Sequence, residues 1–167
     1  LFLIGERKDE LGGSAYYEVN GEVGAVVPII DFEKERNMIH AVVDAITSGL
    51  LLSCHDISDG GLATTMSEMI LGGDADGEIG AEINLDFTEL RNDKSLFSES
   101  SGFVLEVEGK NVERLSALFR FYKVGLTELG KAKGGSLIIH KNNKKIINLP
   151  ISKLRDAWTN GFAEALE

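Results

Sequence analysis

The sequence predicts an α+β domain in which helices pack on a mixed β-sheet. Short runs of alternating or continuous apolar residues, typical of strands, are interspersed with segments whose apolar residues recur every three or four positions, typical of helices. A Lys-Asn-Asn-Lys turn separates two strands near the C terminus, as in an antiparallel hairpin. Because helices and strands do not form separate blocks, we expect the helices to pack on the sheet.

The strands are predicted from short apolar runs between turn residues. The chain opens on such a run, which ends at Gly5, and residues 103–107 alternate between apolar and polar side chains. Pro150 closes the last hairpin, because proline cannot donate to a further ladder hydrogen bond. In chain order, strands are expected at 1–5, 50–56, 78–85, 103–107, 122–128, 135–140 and 145–149.

The helices are predicted from caps and apolar periodicity. Asp31 caps a helix that Gly49 ends. Asp86 and Glu89 have the spacing of a capping box, which predicts a short helix beginning at Asp86. The longer helices and their expected inward residues are 31–48 with Phe32, Ile39, Val42, Val43 and Ile46; 60–71 with Leu62, Met66, Met69 and Ile70; 111–121 with Val112, Leu115, Leu118 and Phe119; and 151–166 with Leu154, Trp158, Phe162 and Leu166.

Length and composition indicate one globular domain covering residues 1–167. The chain has 167 residues, of which 43% are hydrophobic. Its net charge of −10 argues against nucleic acid or an anionic membrane as a partner. No apolar stretch approaches the roughly 20 residues that span a bilayer, so we expect a soluble protein. Since the sequence begins inside a strand, we also expect it to be part of a longer polypeptide.

The single cysteine, Cys54, excludes an internal disulfide and a cysteine metal cluster. It lies in a predicted strand, which favours a buried packing thiol over a nucleophile.

The most informative segment joins an apolar strand to a glycine turn at the start of a helix. His55 and Asp56 end the strand, Asp59 follows, and Gly60 and Gly61 precede the helix. Backbone N–H groups and the helix dipole favour an anion at such a turn, so all five residues are candidates for bordering a ligand cleft. The structural alternative carries equal weight. In that alternative, Asp59 only caps the helix, the glycines only ease the turn, and His55 is a structural histidine.

The acidic residues do not establish a metal site. Asp56 and Asp59 are three residues apart and could both face a magnesium ion, although solvated and capping aspartates are far commoner. Asp74 and Asp76 lie in a glycine loop that lacks the acidic twelfth position of a calcium-binding EF-hand, so we interpret it as a solvated loop. We therefore predict no metal site on this chain.

A second polar segment, Ser98, Glu99 and Ser100, precedes a predicted core strand. Three polar groups at the mouth of a strand are suited to a hydroxyl-rich ligand or to a neighbouring loop, and they are equally suited to capping a short helix. The sequence has neither a P-loop nor a G-x-G-x-x-G fingerprint nor a G-x-S-x-G elbow.

The combined motifs resemble one family, phosphoribosylformylglycinamidine synthase, and they cover essentially the whole chain in order. The chain is similar to the C-terminal domain of the small, separate-subunit form of this enzyme. The motifs that carry the resemblance are Leu3-Ile4-Gly5-Glu6, Glu10-Leu11-Gly12-Gly13-Ser14, His55-Asp56-Ile57-Ser58-Asp59-Gly60-Gly61-Leu62 with Glu68-Met69, Leu96-Phe97-Ser98-Glu99-Ser100, and Leu149-Pro150 with Leu154, Arg155 and Trp158.

The resemblance implies a three-layer α/β/α fold with a mixed β-sheet, like the C-terminal domain of aminoimidazole ribonucleotide synthetase. It also implies a cytoplasmic, ATP-dependent ligase of de novo purine biosynthesis. ATP and Mg²⁺ would activate formylglycinamide ribonucleotide, and ammonia derived from glutamine would give the amidine. The implied partners are the other domains of the same polypeptide, a glutaminase subunit and a small bridging subunit. The resemblance places nucleotide, magnesium and the catalytic histidine mainly on those other domains.

One departure bears on the candidate site. Many relatives carry Gln after the Ser-Glu-Ser motif, and in the first-copy domain of the family the Glu-Ser-Gln run contacts substrate. Here that position is Ser101, which favours a structural role for this copy. The alternatives are therefore a scaffolding domain of the same enzyme, or the equivalent domain of aminoimidazole ribonucleotide synthetase, selenophosphate synthetase, thiamine-monophosphate kinase or the hydrogenase maturation relative.

Overall fold

A computed structural model describes residues 1–73 and 79–164 of the chain, with side chains described as far as Gly161. None of the helices in these residues has the length and apolar character needed to cross a membrane. The elements are β1 (Phe2–Ile4), α1 (Ala15–Val19), α2 (Phe32–Thr47), β2 (Ser53–Asp56), α3 (Gly61–Leu71), β3 (Ala81–Asn84), α4 (Asn92–Phe97), β4 (Phe103–Glu106), a 3-10 turn (Gly109–Asn111), α5 (Val112–Phe121), β5 (Thr127–Glu128), β6 (Gly130–Ala132), β7 (Ser136–Lys141), β8 (Lys144–Pro150) and α6 (Ile151–Glu164).

The described strands form two four-stranded sheets where a single mixed sheet was expected. The first sheet has the order β2-β4-β1-β5 and is entirely antiparallel. The second sheet has the order β6-β3-β7-β8, in which only β3 and β7 are parallel. The chain crosses between the sheets at Leu129 and Gly130, whose N–H groups both face the carbonyl of Leu1. A Cβ at Gly130 would lie 2.1 Å from the carbonyl oxygen of Glu82, so this crossing requires glycine.

The first sheet separates two hydrophobic clusters, because alternate residues of a strand point to opposite faces. Ile4 and Leu105 belong to the outer cluster, which they share with α2 and α5. Leu3 and Val104 belong to the inner cluster, which they share with α3, α6 and the second sheet. Helices therefore lie on both faces of the first sheet, and the predicted three-layer α/β/α arrangement is confirmed.

Two predicted elements are wrong. Residues 122–126 follow α5 in irregular conformation, and only Thr127 and Glu128 pair as β5. Asp86 does not begin a helix, since α4 starts only at Asn92. The Asp86 carboxylate instead accepts hydrogen bonds from the side chain of Asn84 and from the N–H of Asn142. Its role is to tie the turn after β3 to the turn between β7 and β8, a long-range contact that the local spacing does not reveal.

The apolar stripe predicted for α2 faces solvent instead of the core, apart from Val42. The buried residues of α2 are Met38, Ala41, Val42 and Ala45. These four residues pack in the outer cluster with Ile4 and Leu105 of the first sheet, and the bulkier stripe lies outside this contact. Trp158 of α6 is likewise exposed, while Phe162 and Leu166 lie outside the described side chains. The exposed residues of the predicted α2 stripe are Phe32, Ile39, Val43 and Ile46.

Two phenylalanines of α5 provide a matched test of this packing. Phe119 is fully buried in the outer cluster, whereas Phe121 is 77% exposed. We expect Phe119→Ala to lower the free energy of unfolding by about 3–5 kcal/mol, because it leaves a cavity. Phe121→Ala should change it by about 0.5 kcal/mol or less. Urea denaturation of both variants measures the difference, and equal losses would contradict the orientation of α5.

The thiol of Cys54 gives the outer cluster a pH dependence. Burial, reinforced by the nearby Asp56 carboxylate, raises the pKa of Cys54 to about 11. The unfolded chain loses this proton at about pH 8.5, earlier than the folded chain. The thiol's contribution to stability is therefore full below about pH 8.5 and is lost as pH rises through 11.

Alkylation of Cys54 in the folded chain should accordingly follow an apparent pKa near 11. In urea the same measurement should give about 8.5. The Cys54→Ala variant is the control, since it should lack this component of the loss of stability at high pH. An ordinary thiol pKa in the folded chain would contradict the burial described.

Candidate functional site

The topology of the first sheet brings three loops that are distant in sequence to the same end of its strands. Ile4, the last residue of β1, and Asp56, the last residue of β2, both lie opposite Phe103, the first residue of β4. The loops that leave β1 and β2 and the loop that enters β4 are therefore neighbours. We call these loops, residues 5–14, 57–61 and 96–102, the polar end of the first sheet.

The glycine turn packs directly against the Ser-Glu-Ser loop. Gly60 and Gly61 have φ angles of +77° and +66°, in the left-handed region that disfavours side chains. A Cβ at Gly61 would lie 2.7 Å from the carbonyl oxygen of Ser98 and 2.8 Å from that of Leu96. Gly60, and not Asp59, is the N-cap residue of α3. The turn thus requires glycine for both its backbone angles and its close contact.

The carboxylate of Glu99 occupies the position where the sequence predicted an anion. Its Oε1 accepts a hydrogen bond of 2.8 Å from the N–H of Gly60, at the start of α3. The same oxygen accepts a bond of 2.9 Å from the N–H of Ala15, the first residue of α1. One side chain therefore supplies the negative charge that the amide donors of two helix starts favour.

Arg7 holds the Ser-Glu-Ser loop through its backbone. Its side chain is buried, and its guanidinium donates to the carbonyl oxygens of Ser98, at 3.1 Å, of Ser100, and of Ser101, at 3.0 Å. Burial lowers the pKa of Arg7 to about 10, an effect that the carboxylate of Glu10 opposes, so the group stays charged at neutral pH. A planar guanidinium can direct several donors at once, which explains why one side chain fixes three carbonyls.

The hydroxyl groups of the loop are also bonded internally. The hydroxyl of Ser100 donates to Glu10 at 2.9 Å, and the hydroxyls of Ser98 and Ser100 lie 3.1 Å apart. Ser101 donates to Glu35 of α2 at 2.6 Å. Ser98, Ser100 and Glu10 are all buried. These hydroxyls therefore fix the loop against its neighbours, as buried polar groups must be bonded.

His55 forms a separate polar group on the α3 side of β2. Its Nδ1 lies 2.8 Å from the carbonyl oxygen of Asp56 and 3.4 Å from the Asp56 carboxylate. Its Nε2 lies 3.4 Å from the carboxylate of Glu68 on α3. The ring is partly exposed, and Asp56 and Asp59 face solvent. The carboxylates of Asp56 and Glu68 and the carbonyl of Asp56 therefore surround the ring and orient it.

A cleft of about 600 Å³ opens beside the polar end. Its walls come from the loop after β1, the start of α2, the Ser-Glu-Ser loop and the segment before β5. Lys8, Lys34 and Lys123 line it together with the carboxylates of Glu6, Asp31, Glu35 and Glu99. Of the predicted site residues, Glu99 and Ser100 line this cleft, whereas His55, Asp56, Asp59, Gly60, Gly61 and Ser98 do not.

No group of three or more His, Cys, Asp or Glu residues suited to a metal ion occurs within residues 1–73 and 79–164. Asp74 and Asp76, interpreted above as part of a solvated loop, lie outside the described residues.

Sequence analysis missed the residues that organise the polar end, namely Arg7 and Glu10 and the bond between Ser101 and Glu35. Arg7 and Glu10 belong to a charged run, Glu6-Arg7-Lys8-Asp9-Glu10, that has the composition of a solvated turn. Only the position of Glu10, immediately before an apolar residue and a glycine pair, sets it apart within that run.

Gly49 and Gly61 have similar backbone angles but different surroundings, so alanine at each position separates the cost of a left-handed backbone from the cost of steric crowding. Gly61 and Gly49 have φ angles of +66° and +63°, but a Cβ added at Gly61 would meet other atoms within 4 Å, whereas one added at Gly49 would not. We expect Gly49→Ala to lower the free energy of unfolding by about 1–2 kcal/mol, the cost of a left-handed alanine. Gly61→Ala should cost about 3 kcal/mol or more, because the Ser-Glu-Ser loop must also move. Equal losses in urea denaturation would contradict the close packing of the two loops.

Residues 1–141 match the family described as AIR synthase related protein, C-terminal domain. Subunit PurL of phosphoribosylformylglycinamidine synthase from Methanothrix thermoacetophila is 40% identical over 168 residues, which cover 99% of this chain and 21% of that protein. The same subunit from a Thermoanaerobacter species, strain X514, is 38% identical over 95% of this chain and 21% of its own length. The chain thus spans about a fifth of these curated relatives.

The solved structures agree on the fold. PurL of Thermotoga maritima complexed with FGAR has a TM-score of 0.75 at 18% identity, covering 92% of this chain and 27% of that one. The hydrogenase maturation protein HypE has a TM-score of 0.54 at 14% identity, covering 90% and 52%. Since the family match covers most of the chain and the fold agrees with it, this chain belongs to the AIR synthase related protein, C-terminal domain family.

Proposed function

We propose that this chain is the C-terminal domain of the synthetase subunit of phosphoribosylformylglycinamidine synthase. The intact enzyme would use ATP to convert formylglycinamide ribonucleotide and glutamine-derived ammonia into the amidine. The identity of 40% over 99% of the chain supports this assignment, as does the position of four of the five resembling motifs at the polar end of the first sheet. On its own the domain would be inactive, since it spans about a fifth of such a subunit.

The observation that carries a ligand role is the cleft beside the polar end. Its floor is rigid, because Arg7 and Glu99 fix the Ser-Glu-Ser loop on which it is built. Three lysines, Lys8, Lys34 and Lys123, offer donors to a phosphate, and Ser101 and Glu35 offer groups that bond hydroxyls. We assign this cleft to the ribonucleotide, with a neighbouring domain of the same polypeptide completing it.

The described residues do not fit a resident nucleotide or magnesium ion. The turn amides of Gly60 and Gly61, the best candidates for a phosphate cradle, donate to Glu99 and to the carbonyl of Ser58. No cluster of three acidic or histidine ligands accompanies them in the part of the chain that the structure describes. In this proposal ATP and Mg²⁺ are bound by the other domains, and this domain contributes no step through them.

The proposal also extends to partners and compartment. The enzyme would be cytoplasmic, and it would receive ammonia from a glutaminase subunit with a small bridging subunit. A solved structure of PurLQS from Thermotoga maritima, which shares the fold of this chain, is the basis for expecting partners beyond PurL.

A second candidate function is a scaffolding domain that binds no ligand. The observation that favours it is the internal bonding of the polar end, where the side chains of Ser98, Glu99 and Ser100 all contact other parts of the domain. In that case the domain would only position its neighbours.

The first test is ADP release by the full-length polypeptide that contains this chain. We expect turnover that requires ATP, magnesium, formylglycinamide ribonucleotide and ammonium together. Omission of the ribonucleotide or of ammonium should abolish it. A folded protein that turns over without either substrate, or not at all with both, would contradict the ligase assignment.

Variants of the same full-length protein separate the ligand role from the scaffolding role. Loss of one charge-assisted bond to a phosphate costs about 1.5–3 kcal/mol, so Lys34→Ala should raise the KM for the ribonucleotide roughly 10-fold or more. Lys144→Ala, at an exposed lysine at the start of β8, is the matched control. His55→Ala and Asp59→Ala test the group outside the cleft. Unchanged kinetics in all three site variants, with unchanged stability, would favour the scaffold.

A further inference from the structure

Large exposed apolar side chains are concentrated in one part of the chain. Among the described residues sixteen such side chains are exposed, and ten of them fall between Val19 and Ile46. Monomeric proteins expose single apolar side chains routinely, but they rarely expose large contiguous apolar patches unless the surface binds something. We call the exposed side chains of Val23, Val26, Val27, Ile29, Ile30, Phe32, Ile39, Val43 and Ile46 the apolar surface.

The part of this surface on α2 is a regular stripe. At about 100° per residue, Phe32, Ile39, Val43 and Ile46 fall within roughly 60° of arc on the helix. The stripe lies between the buried face, which contacts the first sheet, and a polar face that includes Arg36. A second apolar face on a helix that already buries one is typical of a helix between two packed bodies.

The remaining part of the surface belongs to the segment that leads into α2. This segment is tied to the polar end by two backbone bonds, from Gly12 N–H to the carbonyl of Val26 and from Gly13 N–H to that of Val23. Its residues Ile29 and Ile30 are exposed and also line the cleft. Whatever covers the apolar surface would therefore also border the cleft.

The charges around the surface disfavour a second copy of the chain. Residues 18–47 contain six carboxylates and two basic side chains, a net charge of −4. Two such faces placed together would repel each other, whereas a partner with basic side chains around an apolar centre would be attracted. The acidic residues around the apolar surface therefore favour a partner with basic residues over a second copy of the same surface.

We propose that the apolar surface is the docking site for another domain of the same polypeptide, one that presents an apolar face with a basic rim. This inference rests on the proposed place of the chain in a longer synthetase subunit. The relatives of which this chain covers 21% have about four fifths of their length outside the matching region, which supplies such a domain. A domain docked there would contact Ile29 and Ile30, which already line the cleft, and would add a further wall to it.

Hydroxyl-radical footprinting of the full-length polypeptide tests the interface with a control inside the same molecule. Phe32 of the apolar surface is 82% exposed and Phe121 of α5 is 77% exposed in the structure. The two side chains have the same intrinsic reactivity. We expect Phe32 to be oxidised at least 10-fold more slowly than Phe121, and we expect this ratio to survive tenfold dilution.

Two variants of the full-length protein complete the test. The double variant Ile39→Glu, Val43→Glu should restore the oxidation of Phe32 to the level of Phe121. Arg36→Glu changes the net charge by the same amount on the same helix and should leave Phe32 protected.

Equal oxidation of the two phenylalanines in the unaltered protein would overturn the proposal. Protection of Phe32 that disappears on dilution would assign the surface to a second copy of the chain and overturn the proposal. Oxidation of Phe32 in the Arg36→Glu variant would show that charge alone explains the protection, and this result would also overturn the proposal. Footprinting does not depend on turnover. Protection of Phe32 in a protein without ligase activity would keep the interface and reject only the proposed reaction.

Discussion

The contact on which the domain depends is the one between the Arg7 guanidinium and the three carbonyl oxygens of the Ser-Glu-Ser loop. It joins the loop after the first strand to a loop more than ninety residues away. With that loop in place, Glu99 can reach the starts of α1 and α3, and Gly61 can pack against its backbone. A buried arginine is costly unless it is bonded, and the loop carbonyls bond both terminal nitrogens of Arg7 while its Nε is buried without a partner, so the arginine depends on the loop.

This arrangement changes the meaning of the motifs in the sequence. Motifs rich in Ser, Glu and Asp-Gly-Gly resemble ligand-binding segments, yet most of their polar groups are bonded to one another. These groups build a rigid support. The open cleft lies beside this support and is lined by Ser101, by Glu35, to which Ser101 is bonded, and by the three lysines. Rigidity of this kind is what a binding site needs from the residues behind it.

The cleft and the apolar surface share the segment that precedes α2. Because Ile29 and Ile30 contribute to both, a domain docked on the apolar surface would also change the shape of the cleft. A domain that spans a fifth of its relatives would by this means take part in a site that no single domain encloses.

The sequence alone determined the α+β class and most elements, because these follow from local periodicity and caps such as Asp31. The three-layer arrangement followed from the family resemblance of its motifs. It also singled out the three motif loops. Only the tertiary structure divided the strands between two sheets, since the crossing at Gly130 depends on a close contact with the distant Glu82. It also turned the α2 stripe outward, because the helix face that carries Ala41 and Ala45, which apolar periodicity does not single out, packs in the outer cluster instead. Finally, it gave Arg7 its partners, because a local charged run contains no information about carbonyl oxygens ninety residues away.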